Sequence, residues 1–156
     1  MNKNGVYDVI IVGGGPGGLS AAIYAKRAAM NTLLIEKGIA GGQMTLTDGI
    51  ENYPGFEHIS GSELSERFLK QAQSYGLEWI QGEVEIIDPG LNQHTVKLVG
   101  GQLLSTHTII LATGGSPRKL GISGEDSFYS KGVSYCGVCD GFFFRNKPVV
   151  VIGVGI

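Results

Sequence analysis

Cys136 and Cys139 are the only cysteines in this sequence, and they stand as Cys136-Gly137-Val138-Cys139. That spacing lets two thiols close a small-ring disulfide and lets a helix N-terminus stabilise a thiolate, so it favours thiol–disulfide redox chemistry. Zinc is the main competing reading. A structural zinc site needs four ligands, whereas His58, His94 and His107 are scattered and no second Cys pair exists. Inert buried thiols are the remaining alternative. Asp140 follows the pair directly and, by residue type, suits a helix cap.

Gly13-Gly14-Gly15-Pro16-Gly17-Gly18 satisfies G-x-G-x-x-G and lies between an apolar run and an alanine-rich stretch, the context that gives this pattern its force. Gly13 permits the tight turn, Gly15 lets the backbone approach a pyrophosphate, and Gly18 lets helix and strand pack closely. Pro16 suits the first helical turn, where no backbone donor is needed. The free N–H groups and partial positive charge of the helix start complete an anion site. Glu36 follows at the expected distance of about 20 residues, where a carboxylate accepts hydrogen bonds from ribose hydroxyls and repels a 2′-phosphate. FAD or NAD fits here better than NADP, and the fingerprint alone does not separate FAD from NAD.

These groups need elements to hold them. Tyr7 to Val12 reads as a buried parallel strand, Pro16 to Met30 as a helix and Thr32 to Glu36 as a second strand, together one βαβ unit of about 30 residues. Residues 37–59 read as irregular. Ser60 and Glu63 have capping-box spacing, and the helix they open ends at Gly76. Short strands are expected within residues 77–87, at Thr95–Val99, at Gln102–Ser105 and at Thr108–Ala112, with Gly100-Gly101 as a hairpin turn. Val149 to Gly155 echoes Val9 to Gly15, which marks the opening of a second nucleotide-binding unit.

Composition narrows the classes. The 156 residues suffice for one domain with a real core and a fraction of another. The 26 glycines are more than twice the usual share of about 7%, without a collagen period, so they serve turns and ligand approach. A net charge of −2 without a Lys/Arg cluster gives no footprint for nucleic acid or an acidic membrane. The apolar runs fall far short of the ~18 residues that span a bilayer. Lys3 with its following run is too short for a signal peptide. Two close cysteines fit a reducing cytoplasm.

Gly41-Gly42-Gln43-Met44, Glu51-Asn52-Tyr53-Pro54-Gly55, Ala112-Thr113-Gly114 and Cys136-Gly137-Val138-Cys139-Asp140-Gly141 occur in the order seen in low-molecular-weight thioredoxin reductases, and on these motifs the whole chain resembles that family. The resemblance implies a doubly wound, three-layer Rossmann-like α/β FAD-binding domain with a small antiparallel β excursion. Residues 1–116 are its expected first segment, and residues 117–156 open a truncated nicotinamide-binding domain that carries the Cys pair. It implies that the Gly41–Gln43 loop and Asn52 touch the flavin side and that Val84 meets adenine through its backbone. Ala112, Thr113 and Gly114 pass near the cofactor, and Thr47 is a weaker carry-over. Asp140 becomes the acid/base of disulfide exchange, Cys136 attacks the partner and Cys139 faces the flavin. NADPH, thioredoxin and a homodimer belong to the complete enzyme, with the nicotinamide site incomplete here. The chain departs from the family at Gly115, usually alanine, and at Gly153-Val154-Gly155-Ile156, where a fuller glycine fingerprint is usual.

Overall fold

The computed structural model describes residues 5–129 and 131–153. Lys3 and the Val154–Ile156 end of the second glycine run lie outside them. The chain divides into two compact units, Met1–Gly114 and Gly115–Ile156.

The first unit is built on β1 (Val6–Val12), α1 (Pro16–Arg27), β2 (Thr32–Glu36), α2 (Gly61–Ser74), β3 (Glu78–Gln81), β4 (Val84–Asp88), β5 (His94–Leu98) and β6 (Leu103–Leu111). The strands form one sheet in the order β3-β2-β1-β6-β5-β4. β3, β2, β1 and β6 run parallel, while β5 and β4 continue antiparallel from β6. β1 lies mid-sheet, and its apolar run is buried on both faces as a central parallel strand requires.

Two clusters make three layers. Val9, Ile11 and Leu34 pack on Leu19 and Ala22 of α1 and Ala72 of α2. Ile10, Val12, Leu33 and Ile35 pack on Val96 and Leu98 of β5. Both helices therefore share one face of the parallel strands, and the antiparallel excursion covers the other.

Local sequence explains most boundaries. Ser60 caps α2, its Oγ accepting the Glu63 N–H at 3.2 Å; the Glu63 carboxylate is taken by Arg67 at 2.7 Å rather than reaching back. α1 ends at Arg27, short of Met30, because Ala29 turns left-handed with φ 59°. The strand expected across residues 77–87 is interrupted at Gly82-Glu83, where Gly82 N–H donates to Glu36 O and Glu83 O accepts from Val99. Gln102–Ser105 and Thr108–Ala112 prove to be one strand, since β6 pairs with β5 over Leu103–Thr106 and with β1 over Ser105–Leu111. Between them Thr106 is fully buried and satisfies its hydroxyl on the Thr108 carbonyl at 2.9 Å.

Among its described residues the second unit holds a single helical turn, α3 (Gly137–Asp140), followed by a 3-10 turn at Gly141–Phe144. The strand expected at Val149–Ile152 does not form, and those side chains stand 61–88% exposed. An apolar run needs a neighbouring strand to satisfy its backbone, and the described residues offer it none. Phe142 and Phe143 are exposed as well.

Candidate functional site

The glycine run forms the link from β1 to α1. Gly13 turns with φ 107°, and its N–H donates to Ile35 O at 2.8 Å. A Cβ at Gly13 would meet Ala112 O at 2.2 Å, and one at Gly18 would meet Gly13 O at 1.9 Å, so both are fixed by packing. Gly15, the N-cap, is different: nothing lies within 4 Å of its would-be Cβ, and no side chain caps the helix. Pro16 occupies the first turn. An uncapped helix start over an open glycine presents unpaired N–H groups to a space that an anion fits. Those residues fit the pyrophosphate of a dinucleotide.

Glu36 closes β2, and its carboxylate is already held by two backbone donors, Gly14 N–H at 2.5 Å and Gly38 N–H at 2.7 Å. Each oxygen keeps lone-pair capacity for a hydroxyl donor. Gly41 donates to Gly14 O at 2.7 Å, and a Cβ on Gly42 would lie 3.3 Å from the Gly15 Cα. The loop carrying Gly41, Gly42 and Gln43 therefore sits against the glycine turn. Ala112 donates its N–H to Val12 O at 2.8 Å and leads into exposed Thr113 and Gly114. Sequence-distant Gly13, Gly15, Gly18, Glu36, Gly41, Gly42 and Ala112 are thus gathered at the carboxyl ends of β1, β2 and β6, the place where open α/β sheets bind ligands.

Three further residues lie on other segments of the first unit. Thr47 ends the Gly42–Leu46 3-10 turn, and its carbonyl accepts from Gly61 at 2.9 Å. Asn52 is exposed in the loop closed by the Ile50–Ile59 bridge. Val84 starts β4, paired with Leu98.

In the second unit Cys136 and Cys139 are joined as a disulfide with Cα atoms 5.2 Å apart. Cys136 is the N-cap of α3: its Sγ accepts the Cys139 N–H at 3.2 Å and its carbonyl accepts the Asp140 N–H at 3.0 Å. Cys136 is half-buried and Cys139 exposed, so neither is an inert core thiol. Asp140 caps no helix through its side chain; the carboxylate accepts from Ser134 Oγ at 2.5 Å. Among the described residues no group of three or more His, Cys, Asp or Glu side chains is arranged to hold a metal.

Sequence reasoning missed the support of this loop. Glu125 is 5% exposed, and its carboxylate accepts N–H groups of Leu120 (2.9 Å), Gly121 (2.6 Å) and Ile122 (3.3 Å) together with the Tyr135 hydroxyl. The Tyr135 hydrogen bond and then these amides hold the Glu125 carboxyl below its ordinary value. The same bond, with burial, pushes the Tyr135 hydroxyl up to about 12. No local pattern in the sequence announces a carboxylate that gathers donors from both sides. Ser134 carried a fainter signal, a serine two residues ahead of the first cysteine.

Known proteins bear on what this arrangement is. The chain is 44% identical over 155 residues to the thioredoxin reductase of Bacillus subtilis (strain 168), covering 99% of this chain and 49% of that protein. It is 50% identical over 151 residues to the thioredoxin reductase of Treponema pallidum (strain Nichols), covering 96% of this chain and 48% of that protein. The crystal structure of thioredoxin reductase from Streptococcus pyogenes MGAS5005 superposes with a TM-score of 0.86 at 43% identity, over 91% of this chain and 46% of that one. The chain spans about half the length of the curated relatives it matches. The family model described as pyridine nucleotide-disulphide oxidoreductase matches residues 7–156. With the glycine turn and the Cys136–Cys139 disulfide in one chain, and with that match over nearly its whole length, this protein belongs to the pyridine nucleotide-disulphide oxidoreductase family.

Proposed function

We propose that this chain provides the flavin-binding segment and redox pair of an NADPH-dependent thioredoxin-disulfide reductase. The observation that carries the reading is the Cys136–Cys139 disulfide in a chain that also builds an open glycine turn at the ends of its parallel strands. Residues 1–116 are the first segment of the FAD domain in this reading, and residues 117–156 the opening of the nicotinamide domain. FAD, when bound, supplies the two-electron exchange between reduced nicotinamide and the disulfide.

The chain's own residues bind and orient. Gly13, Gly15, Pro16 and Gly18 receive the pyrophosphate at the start of α1. Glu36, its carboxylate oriented by Gly14 and Gly38, takes the ribose hydroxyls. Gly41, Gly42, Gln43 and Asn52 line the flavin side, with Thr47 a weaker contact, Val84 meets adenine through its backbone, and Ala112, Thr113 and Gly114 pass beside the cofactor. Cys136 exchanges with thioredoxin's disulfide, Cys139 resolves the mixed disulfide, and Asp140 takes and returns protons. A homodimer in a reducing cytoplasm completes the reading.

Oxidised and single-cysteine forms test the partner. After reduction, a Cys139→Ser chain mixed with oxidised thioredoxin should trap it as a stable mixed disulfide on a non-reducing gel, while Cys136→Ser should not. Trapping by neither variant would remove thioredoxin as the partner. Equilibrium dialysis should show FAD binding weaker than that of a full-length relative and abolished by Gly15→Leu.

A second reading, a dinucleotide-binding module without turnover, is favoured by the exposed Val149–Ile152 run, which forms no strand in this chain. Under it NADPH leaves the absorbance of the flavin-loaded chain unchanged.

A further inference from the structure

Ser134 lies two residues before Cys136 and is tied both to it and to Asp140. Its Oγ accepts the Cys136 N–H at 3.0 Å and donates to Asp140 Oδ2 at 2.5 Å; the Cys136 carbonyl oxygen lies 3.3 Å away. A hydroxyl has one proton to give. The shorter, charge-assisted bond to the carboxylate takes it, leaving the carbonyl as a minor partner. The polarity is then fixed, running from Cys136 N–H through Ser134 O–H to Asp140. An ordinary serine turn accounts for the first bond. It does not require the second, which reaches six residues along the chain.

We propose that Ser134 is a positioning residue for thiol–disulfide exchange, holding the Asp140 carboxylate in place to handle protons for the Cys136/Cys139 pair. The inference rests on the reading of Asp140 as the acid/base. Asp140 is half-buried and Ser134 exposed, so packing alone does not fix the carboxylate's two side-chain torsions. A hydrogen bond anchored on the backbone of the redox cysteine does, and a proton acceptor works only when held within reach of its proton.

The exchange balances without any further reactant. The Cys136 thiolate, its proton released to water, attacks one sulfur of a partner disulfide. A new S–S bond forms and the partner's bond breaks; the leaving sulfur keeps the electron pair and takes a proton from water. Cys139 then gives its proton to Asp140, and its thiolate attacks Cys136 Sγ. The Cys136–Cys139 bond closes, and the second partner sulfur leaves with its electron pair and receives the proton from Asp140. Two electrons have passed from the Cys pair to the partner.

Mass spectrometry resolves these steps. The 156-residue chain is reduced, freed of reductant, mixed with glutathione disulfide at fixed neutral pH, quenched with acid, alkylated and weighed at successive times. Ser134→Ala should leave the attack step within about twofold of the parent and slow closure about tenfold, so that the glutathione adduct accumulates. Ser134→Thr, which keeps the hydroxyl, should restore closure. Asp140→Asn should slow closure by at least as much, about 10²-fold, and the double variant should be no slower than Asp140→Asn alone.

Closure at the parent rate in Ser134→Ala overturns the proposal. So does equal slowing of attack and closure, which would mark mere distortion of the loop, or multiplying losses in the double variant. Parent-rate closure in Asp140→Asn overturns it as well, because Ser134 then has no group to act through. Failure of the reduced parent chain to reduce thioredoxin, with normal glutathione exchange, would instead refute the substrate reading and leave the Ser134 result standing.

Discussion

Gly15 and Gly18 flank one helical turn and carry opposite constraints. A methyl group at Gly18 would sit 1.9 Å from a backbone oxygen, which cannot move without moving β1. Gly18→Ala should therefore cost about 1–3 kcal/mol in urea unfolding, the usual scale of overpacking. At Gly15 the added methyl meets nothing, and Gly15→Ala should cost under ~1 kcal/mol, the scale of a changed cap. FAD affinity should respond in the other sense, falling with Gly15→Ala out of proportion to stability. Tyr135 allows a pH prediction with a definite sign. Its hydroxyl ordinarily ionises at 10.0 and here at about 12. The folded chain thus keeps a proton the unfolded chain has lost, and this contribution to stability is full below pH 10 and is lost as pH rises to about 12. Glu125 acts at the other end: its carboxyl is lowered from 4.5, so its contribution is present above that value and is lost as pH falls through the folded value. Tyr135→Phe should flatten the alkaline loss when unfolding midpoints are compared across that window. An unchanged alkaline profile would mean the Tyr135–Glu125 bond does not hold the loop.

α2 shows how one capped helix start positions a loop that has little regular structure of its own. Ser60 stops the chain and starts the helix, and Gly61 follows so close to the 3-10 turn that a Cβ there would lie 1.8 Å from Met44 O. The Ser65 side chain, bonded to Gly61 O at 2.7 Å, fills the space beside Gly41. The Gly41–Thr47 loop is therefore seated on the first turn of α2. Ser60→Ala should lower stability by about 1 kcal/mol, and amide exchange should quicken in residues 41–47 as well as in the helix. Exchange confined to α2 would show that the loop is held by something else. The Ser60 cap and the βαβ unit were legible because they depend on neighbours in sequence. The continuity of β6 was not, because a buried threonine in mid-strand is accommodated only once β1 lies alongside it.

Across the whole chain, apolar residues of similar type have contrasting fates. Ile11 is fully buried between sheet and helices, whereas Val150 is 88% exposed. Ile11→Ala should cost about 2–5 kcal/mol, and Val150→Ser should change stability by no more than ~0.5 kcal/mol. A large loss from Val150→Ser would mean that this run is covered in solution. Among the described residues no helix is long and apolar enough to cross a membrane. The sequence by itself determined what is local: the strand–glycine–helix turn, the capped α2, the Cys-x-x-Cys pair with Asp140 beside it, and the resemblance those motifs carry. Their physics is set by bond geometry and by spacing along one chain. Only the tertiary structure decided what must be brought together from a distance. It placed Ala112 against Gly13, put both helices on one face with β5 on the other, and set Tyr135 and three amides on Glu125. It also left Val149–Ile152 outside any sheet. An apolar run encodes the wish to be buried, but burial requires a partner surface, and which surface is available is a property of the folded chain rather than of the run.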